Sequence, residues 1–281
     1  MAVRAAAEWG CGRSDGRIGP VIDWSEAADQ RRRVGHHVEV HAQVGSTNDR
    51  AAEALSEPDG EGRAIVAELQ TAGRGRRGRQ WDSPAGLNLT LSVGLRPRLA
   101  AERAGLLGIA TALAVRTACA PAAGLALKWP NDLVADDGRK VAGLLLETAL
   151  LEGAMAQAVI GVGINVNWRR SAMPEPIAAV ATSLADLAGH DLDRVALLGR
   201  LLAALDDEIA ALERGLSPVD RFAAASWLDG REVSVSLGER ELDGLVEGIG
   251  ADGSLLLLSD GVHLALSAGE VRRVRGTLAR A

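Results

Sequence analysis

Gln70-Thr71-Ala72-Gly73-Arg74-Gly75-Arg76-Arg77-Gly78-Arg79 interleaves three glycines with four arginines over its last seven positions, between two apolar runs with the character of strands. Glycine lets a backbone adopt positive φ and come close to a ligand. Arginine supplies a permanent charge on a planar fork that fits carboxylate and phosphate oxygens two at a time. The loop therefore suits an anion: a nucleotide phosphate, or a carboxylate being activated by one. Three glycines raise the entropy cost of fixing it. Four like charges repel unless an anion sits among them, so the loop is expected to order around its ligand. The plain alternative is a flexible, solvated basic loop.

Better-known glycine motifs fail on context. A dinucleotide fingerprint needs a strand, the glycine turn and then a helix whose N-terminus meets the pyrophosphate. The strand is plausible at Ala64–Leu69, but Leu87-Asn88-Leu89-Thr90-Leu91-Ser92-Val93 follows, alternating as a second strand. No H-R-D or D-F-G element supports a kinase loop, and no G-x-x-x-x-G-K-[ST] is present.

Composition sets wider bounds. The chain has 281 residues, 47% of them hydrophobic, enough for one large or two smaller domains. No apolar run is long enough to span a membrane, and no signal peptide is evident, so a cytoplasmic protein is predicted. Cys11 and Cys119 are the only cysteines, and the five histidines form no H-E-x-x-H. The net charge of −6 makes the basic loop a local feature and disfavours general nucleic-acid binding. Of 31 basic residues only Lys128 and Lys140 are lysine. Against a strong arginine bias, they mark places that call for a compact ammonium.

Along the chain, a short helix is expected near 24–33, and a strand from Val38 leads into Gly45-Ser46-Thr47-Asn48-Asp49, which can cap a helix over 49–56. Residues 102–119 form a buried helix. Leu125–Trp129 is a strand ending in Lys128-Trp129-Pro130-Asn131-Asp132, and Asp136-Asp137-Gly138 carries a hairpin signal. Strands follow at Lys140–Glu147 and Ala156–Val166, then helices, one with the stripe Val195, Leu198, Leu202, Leu205, Ile209 and Leu212. From about residue 231 the pattern changes to short alternating strands, the mark of a small barrel. No residue of this region stands out for chemistry.

Four segments taken in order carry more than any one of them: Ser46-Thr47-Asn48, the Gln70–Arg79 loop, Lys128–Asp132, and Lys140-Val141-Ala142-Gly143 with Gly161-Val162-Gly163-Ile164-Asn165-Val166-Asn167. Together they resemble the biotin protein ligases, over about residues 38–275. The resemblance implies an α+β fold: a mixed-sheet catalytic domain of the biotin/lipoate-ligase, class II synthetase-like kind at 36–230, and an SH3-like barrel at 231–281. Residues 1–35 are then an N-terminal extension, partly disordered. The implied activity makes biotinyl-5′-adenylate from biotin and ATP, with Mg²⁺, and passes biotin to a lysine of a biotin carboxyl carrier domain of a biotin-dependent carboxylase.

The residues suit that chemistry. Two anions, the biotin carboxylate and the α-phosphate, have to meet, so cations are needed; Lys140, Arg74 and Arg76 are the candidates. The acceptor lysine is itself the nucleophile, which agrees with finding no G-x-S-x-G. By resemblance, Ser46, Thr47 and Gln70 hydrogen-bond the biotin ring and its neighbourhood, Asn48, Gly73 and Gly75 belong to the biotin/adenylate site, and Trp81 covers the apolar ring face or the adenine. Ser46-Thr47 equally reads as a helix cap, and Trp81 as core. Asn131 reads either as a turn residue or as a ligand contact, and Asn165 as a site wall or half-buried core. Gly143 and Gly163 are expected to permit close backbone approach. No metal ligands are legible.

Family members that double as repressors carry an N-terminal winged helix-turn-helix. Only 45 residues precede Ser46, so a monofunctional ligase without specific DNA binding is expected, as monomer or homodimer. The rival of the same fold is a lipoate or octanoyl ligase or transferase, against which the arginine loop and Lys-Trp-Pro-Asn-Asp both speak.

Overall fold

The computed structural model describes residues 22–275. Most of the N-terminal extension, with its expected partial disorder, lies outside these residues, as does Cys11. In place of the helix expected near 24–33 there is a 3-10 turn at Trp24–Ala27, capped by Asp23.

The first part of the chain runs β1 (Val38–Val44), α1 (Thr47–Ala54), β2 (Ala64–Gln70), β3 (Leu89–Leu95), α2 (Ala104–Cys119), β4 (Ala126–Lys128), β5 (Asp132–Val134), β6 (Lys140–Leu151) and β7 (Ala154–Ile164). The strands form one mixed sheet in the order β1-β2-β3-β7-β6-β5-β4. β1 and β2 are parallel, with Val38 opposite Ala64 and Val44 opposite Gln70, because α1 supplies the crossover a parallel pair requires. The remaining neighbours are antiparallel. β6 and β7 turn through Glu152-Gly153, both with positive φ, which matches the twist of the strands they join. This hairpin runs past the Glu147 expected for its first strand and leaves Leu150 and Leu151 exposed.

Residue alternation sorts the sheet into two faces. Ala64, Val66, Ala158 and Ile160 join the main core, while Ile65 and Val159 meet Ala51, Ala54 and Leu55 of α1 on the other side. After β7 come α3 (Glu175–Ala178), α4 (Leu184–Ala188), α5 (Arg194–Glu213) and α6 (Val219–Ala224). α5 packs against α2 and buries Leu198, Leu202, Leu205, Ile209 and Leu212 of the predicted stripe; Val195 lies at its half-buried rim. Each fully buried aliphatic side chain contributes about 1.5–3 kcal/mol.

A second, antiparallel sheet comprises β8 (Glu232–Leu237), β9 (Arg240–Ile249), β10 (Leu255–Ser259), β11 (Val262–Leu266) and β12 (Glu270–Arg275), in the order β11-β10-β9-β8-β12. Its Val233, Val235, Val246, Leu255, Leu257 and Val271 are continuous with the main core. It sits close on the first part: Trp129 Nε1 donates to the Gly253 carbonyl at 3.1 Å. A Cβ at Gly105 would stand 2.7 Å from the Asp252 carbonyl oxygen, so only glycine lets the two backbones meet there. This seating carries the start of β12 to the Lys128–Asp132 end of the mixed sheet.

Candidate active site

A cavity of about 210 Å³ opens where α1, the ends of β2 and β4, the centres of β6 and β7, the arginine loop and the start of β12 converge. Its floor is made of neutral polar side chains linked to one another by hydrogen bonds. Ser46 caps α1, its Oγ accepting from Asn48 N–H at 3.2 Å, and both Ser46 and Thr47 also line the cavity. The cap and the site wall are thus the same residues. Gln70 Oε1 accepts from Thr47 N–H at 2.8 Å and Thr47 Oγ1 at 3.0 Å. Ser92 Oγ on β3 bridges Thr47 Oγ1 at 2.7 Å and Asn48 Oδ1 at 2.6 Å, and Asn48 Nδ2 donates to Glu147 Oε2 at 2.5 Å.

The wall from β6 and β7 is flat because it is made of glycine. A Cβ at Gly163 would strike the Trp81 indole, one at Gly143 would strike the end of the Lys140 side chain and crowd the indole at 3.2 Å, and one at Gly161 would strike the Asn48 amide. Trp81 therefore lies directly on the sheet, its Nε1 buried without a hydrogen-bond partner. Lys140, at the start of β6, holds its Nζ 5.4 Å from the indole centroid and 2.7 Å from Asp132 Oδ1. Backbone bonds to Val180 and Thr182 fix its position.

The arginine loop forms the roof, with a 3-10 turn at Arg76–Gly78 in which Arg77 takes positive φ. Carboxylates sit among its guanidiniums. Arg74 grips Asp49 with two bonds of 2.8 and 2.5 Å, with Glu147 at 3.8 Å. The hydrogen bond from Arg74 holds the Asp49 carboxyl below its ordinary range. Arg77 donates to the Ser236 carbonyl at 3.1 Å and to Glu270 Oε2 at 3.4 Å, and Arg79 pairs with Glu270 as well. Arg76 differs: its contacts are neutral, the Gly269 carbonyl at 3.3 Å and a long 3.5 Å approach to Asn131 Oδ1. Burial, then the like charge of Arg77, pushes its pKa down.

Of the residues expected at the site, Ser46, Thr47, Asn48, Gln70, Arg74, Gly75, Arg76, Trp81, Asn131, Lys140, Gly143 and Gly163 line this one cavity. Gly73 and Asn165 do not. Gly73 stands behind the loop, its carbonyl accepting from Trp81 N–H at 3.0 Å. Asn165 shares parity with Gly163, but β7 ends at Ile164 and the alternation ends with it. Its side chain turns to the Thr182 carbonyl at 3.1 Å.

Among the charged lining residues, Arg77, Arg79, Lys128, Asp132 and Glu270 escaped the reading of site residues from sequence. Lys128 faces the cavity from β4, and burial, followed by the charges of Lys140 and Arg79, lowers its pKa against the pull of Asp132. The scarcity of lysine was its signal. Asp132 lies in the Lys-Trp-Pro-Asn-Asp segment beside Asn131. Glu270 had none: the terminal strands showed no chemistry, yet Gly269, Glu270 and Val271 complete the wall. The cavity thus gathers six cationic side chains (Arg74, Arg76, Arg77, Arg79, Lys128 and Lys140) against the carboxylates Asp132 and Glu270.

Comparison with known proteins agrees with this architecture. Residues 40–165 match the Biotin/lipoate A/B protein ligase family and residues 230–273 the Biotin protein ligase C terminal domain. The chain is 37% identical over 272 residues to a biotin–[acetyl-CoA-carboxylase] ligase of Mycobacterium tuberculosis, covering 92% of this chain and 98% of that protein. It is 37% identical over 243 residues to the bifunctional ligase/repressor BirA of Escherichia coli, covering 84% and 74% respectively. The structure of the Aquifex aeolicus biotin protein ligase in complex with biotin and ATP superposes with a TM-score of 0.69 at 29% identity, over 86% of this chain and 99% of that one. With the fold, the ordered motifs and near full-length relatives in agreement, this chain belongs to the biotin protein ligase family.

Proposed function

We propose that the chain joins biotin to ATP as biotinyl-5′-adenylate, and then transfers the biotinyl group to a lysine of a biotin carboxyl carrier domain. The observation that carries the reading is the division of the cavity. One end is a floor of neutral, mutually hydrogen-bonded polar side chains suited to a neutral polar ring, and the other is a cationic roof suited to phosphates. In the first step a biotin carboxylate oxygen bonds to the α-phosphorus and pyrophosphate leaves. In the second the lysine amine attacks the acyl carbon, AMP leaves with the bonding pair, and the amine proton passes to solvent. Neither step needs a nucleophile from the enzyme.

Cations offset the repulsion as the two anions meet. Arg76 is the readiest of them, since its present partners are uncharged oxygens. Lys140 and Lys128 reach the same space, while Arg74 has to exchange Asp49 for ligand before it serves. Ser46, Thr47, Asn48 and Gln70 then hold biotin, and Trp81 covers the glycine wall of Gly143 and Gly163, with its unpaired Nε1 free for an acceptor. Gly75 and Asn131 complete the adenylate side. Gly73 backs the loop, and Asn165 props the wall from outside the cavity.

Mg²⁺ fits as a companion of the nucleotide. Such an ion is carried on phosphates with one or two carboxylates rather than in an all-protein cage. Among the described residues no three His, Cys, Asp or Glu side chains cluster, and Asp132 is the cavity carboxylate placed to assist. When bound, the ion would neutralise phosphate charge. Among the described residues no helix is long and apolar enough to cross a membrane, which fits a cytoplasmic enzyme. Residues 36–230 serve as the catalytic unit, and the terminal sheet closes its site.

The test is biotin-dependent exchange of pyrophosphate into ATP, followed by labelling of a carrier domain. Exchange that follows lipoate or octanoate instead of biotin would transfer the site to the rival ligases of this fold.

A further inference from the structure

The four arginines of the roof are shared between two walls. Arg74 is held by Asp49 of α1, whereas Arg77 and Arg79 are both held by Glu270, the first residue of β12. Next to Glu270, the Gly269 carbonyl accepts from Arg76, and across the same sheet the Ser236 carbonyl accepts from Arg77. The terminal sheet thus touches three loop arginines at a sequence separation of up to 193 residues. The platform is rigid: a Cβ at Gly269 would stand 2.8 Å from Val235 and 3.4 Å from Trp129, so the Gly269-Glu270 backbone is packed down on the core.

Without an acid here, Arg76, Arg77 and Arg79 would face one another within four residues. Glu270 draws two of them to the outer wall, and the loop between is fixed with Arg76 pointing inward on neutral acceptors. A third arginine, Arg272, lies 3.9 Å from the same carboxylate, so Glu270 carries surplus cation even with the loop attached. Its half-buried side chain, 21% exposed, favours a standing contact over a passing one.

We infer that Glu270 is a positioning residue for the nucleotide-dependent step: by pairing Arg77 and Arg79 it strings the arginine loop across the cavity and sets Arg76 against the phosphates. This rests on the biotin-activating reading of the site. Although Glu270 lines the cavity, its carboxylate is occupied by Arg77 and Arg79. Its effect passes through the loop, so it falls on the nucleotide and spares the neutral floor where biotin lies.

Glu270→Gln should raise KM for ATP in pyrophosphate exchange about 3- to 10-fold, the range for partly exposed charge-assisted bonds, while KM for biotin moves less than about twofold. Arg79→Gln, which leaves the terminal sheet untouched, should reproduce the shift. The double variant should be no worse than the poorer single one, because both remove one contact. In the protein without ligands, trypsin should cut after Arg76 or Arg77 faster in Glu270→Gln than in the parent. An unchanged or lowered KM for ATP, or strictly additive effects, would overturn the inference. If the parent chain itself shows no exchange, the functional reading fails instead. The trypsin comparison then decides about Glu270 alone: faster cutting supports the contact, and equal rates refute it.

Discussion

Arginine meets carboxylate in two places in this molecule, and the two are built differently. On the outer side of α1, Glu39 binds Arg50 at 2.7 Å and Arg63 at 3.0 Å, and Glu57 takes the same two arginines at 2.7 and 2.6 Å. His41 adds a bond to Glu39 at 2.8 Å. Every guanidinium there has an acid. Around the cavity, six cationic side chains meet four carboxylates, Asp49, Glu147, Asp132 and Glu270, and the hydrogen-bond partners of Arg76 are all neutral. Matched charge ties β1, α1 and the approach to β2 together; unmatched charge waits for a ligand. The surplus, rather than the presence, of arginine marks the site, a pattern typical of functional positions that are held at some cost to the fold.

The largest effect expected from this contrast is at Lys140. Its Nζ fits between Asp132 and Gly143, where a Cβ would stand only 2.6 Å away, so a wider guanidinium cannot take its place. Lys140→Arg keeps the charge yet should lose about 10- to 150-fold in kcat/KM, the equivalent of 1.5–3 kcal/mol. Near-normal turnover in the exchange assay would show that Lys140 does not meet the reacting groups.

Glu39→Gln should do the reverse, lowering stability by about 1–2 kcal/mol with exchange activity retained. Burial alone would raise the Glu39 carboxyl, but hydrogen bonds from Arg50, His41 and Arg63 outweigh it and hold the group at about 2 against an ordinary 4.5. A depressed carboxyl stabilises the fold above its unfolded pKa, and that stability is lost as pH falls from about 4.5 towards 2. Denaturant midpoints measured across this window should fall less steeply in the variant than in the parent. Parallel curves would mean that Glu39 is not the group that titrates.

Lys128 offers a sharper separation. Burial, with Lys140 and Arg79, disfavours its charge more than Asp132 favours it, so Lys128→Met should stabilise the fold by about 0.5–1 kcal/mol while impairing ATP-dependent exchange. A variant both less stable and less active would place Lys128 with the matched network. The smallest change is expected at Asp49→Asn. Its pair with Arg74 is exposed on both sides, 38% and 56%, and such pairs contribute about 0–1 kcal/mol. Thermal unfolding should show a stability shift within about 0.5 kcal/mol, and a larger loss would make this pair structural.

Much of the fold was legible because its signals are local. The Ser46 cap, the alternation of Leu89–Val93, the turn at Asp137-Gly138 and the terminal strands each rest on neighbours in sequence, and each appears in the structure. Where a local signal was extrapolated it failed. Asn165 continues the parity of Gly163 in sequence, but the strand has ended, and the side chain props Thr182. The helix expected near 24–33 shrank to a single turn, since only Trp24 and Ala27 in it find core to pack against.

By itself the sequence determined that an anion-binding glycine–arginine loop stands between two strands, and that a lysine-bearing segment and a glycine-bearing hairpin follow it in the order of one ligase family. Composition, periodicity and motif order are one-dimensional properties and need no partner. Only the tertiary structure decided which charges are spent and which are free. The same residue type is matched at Arg50 and Arg63 and left on neutral oxygens at Arg76, and the acid that steadies the roof arrives from a sheet almost two hundred residues away. Electrostatic pairing depends on distance in space, and that distance was set by how Gly105, Trp129 and Gly253 let the second sheet seat against the first.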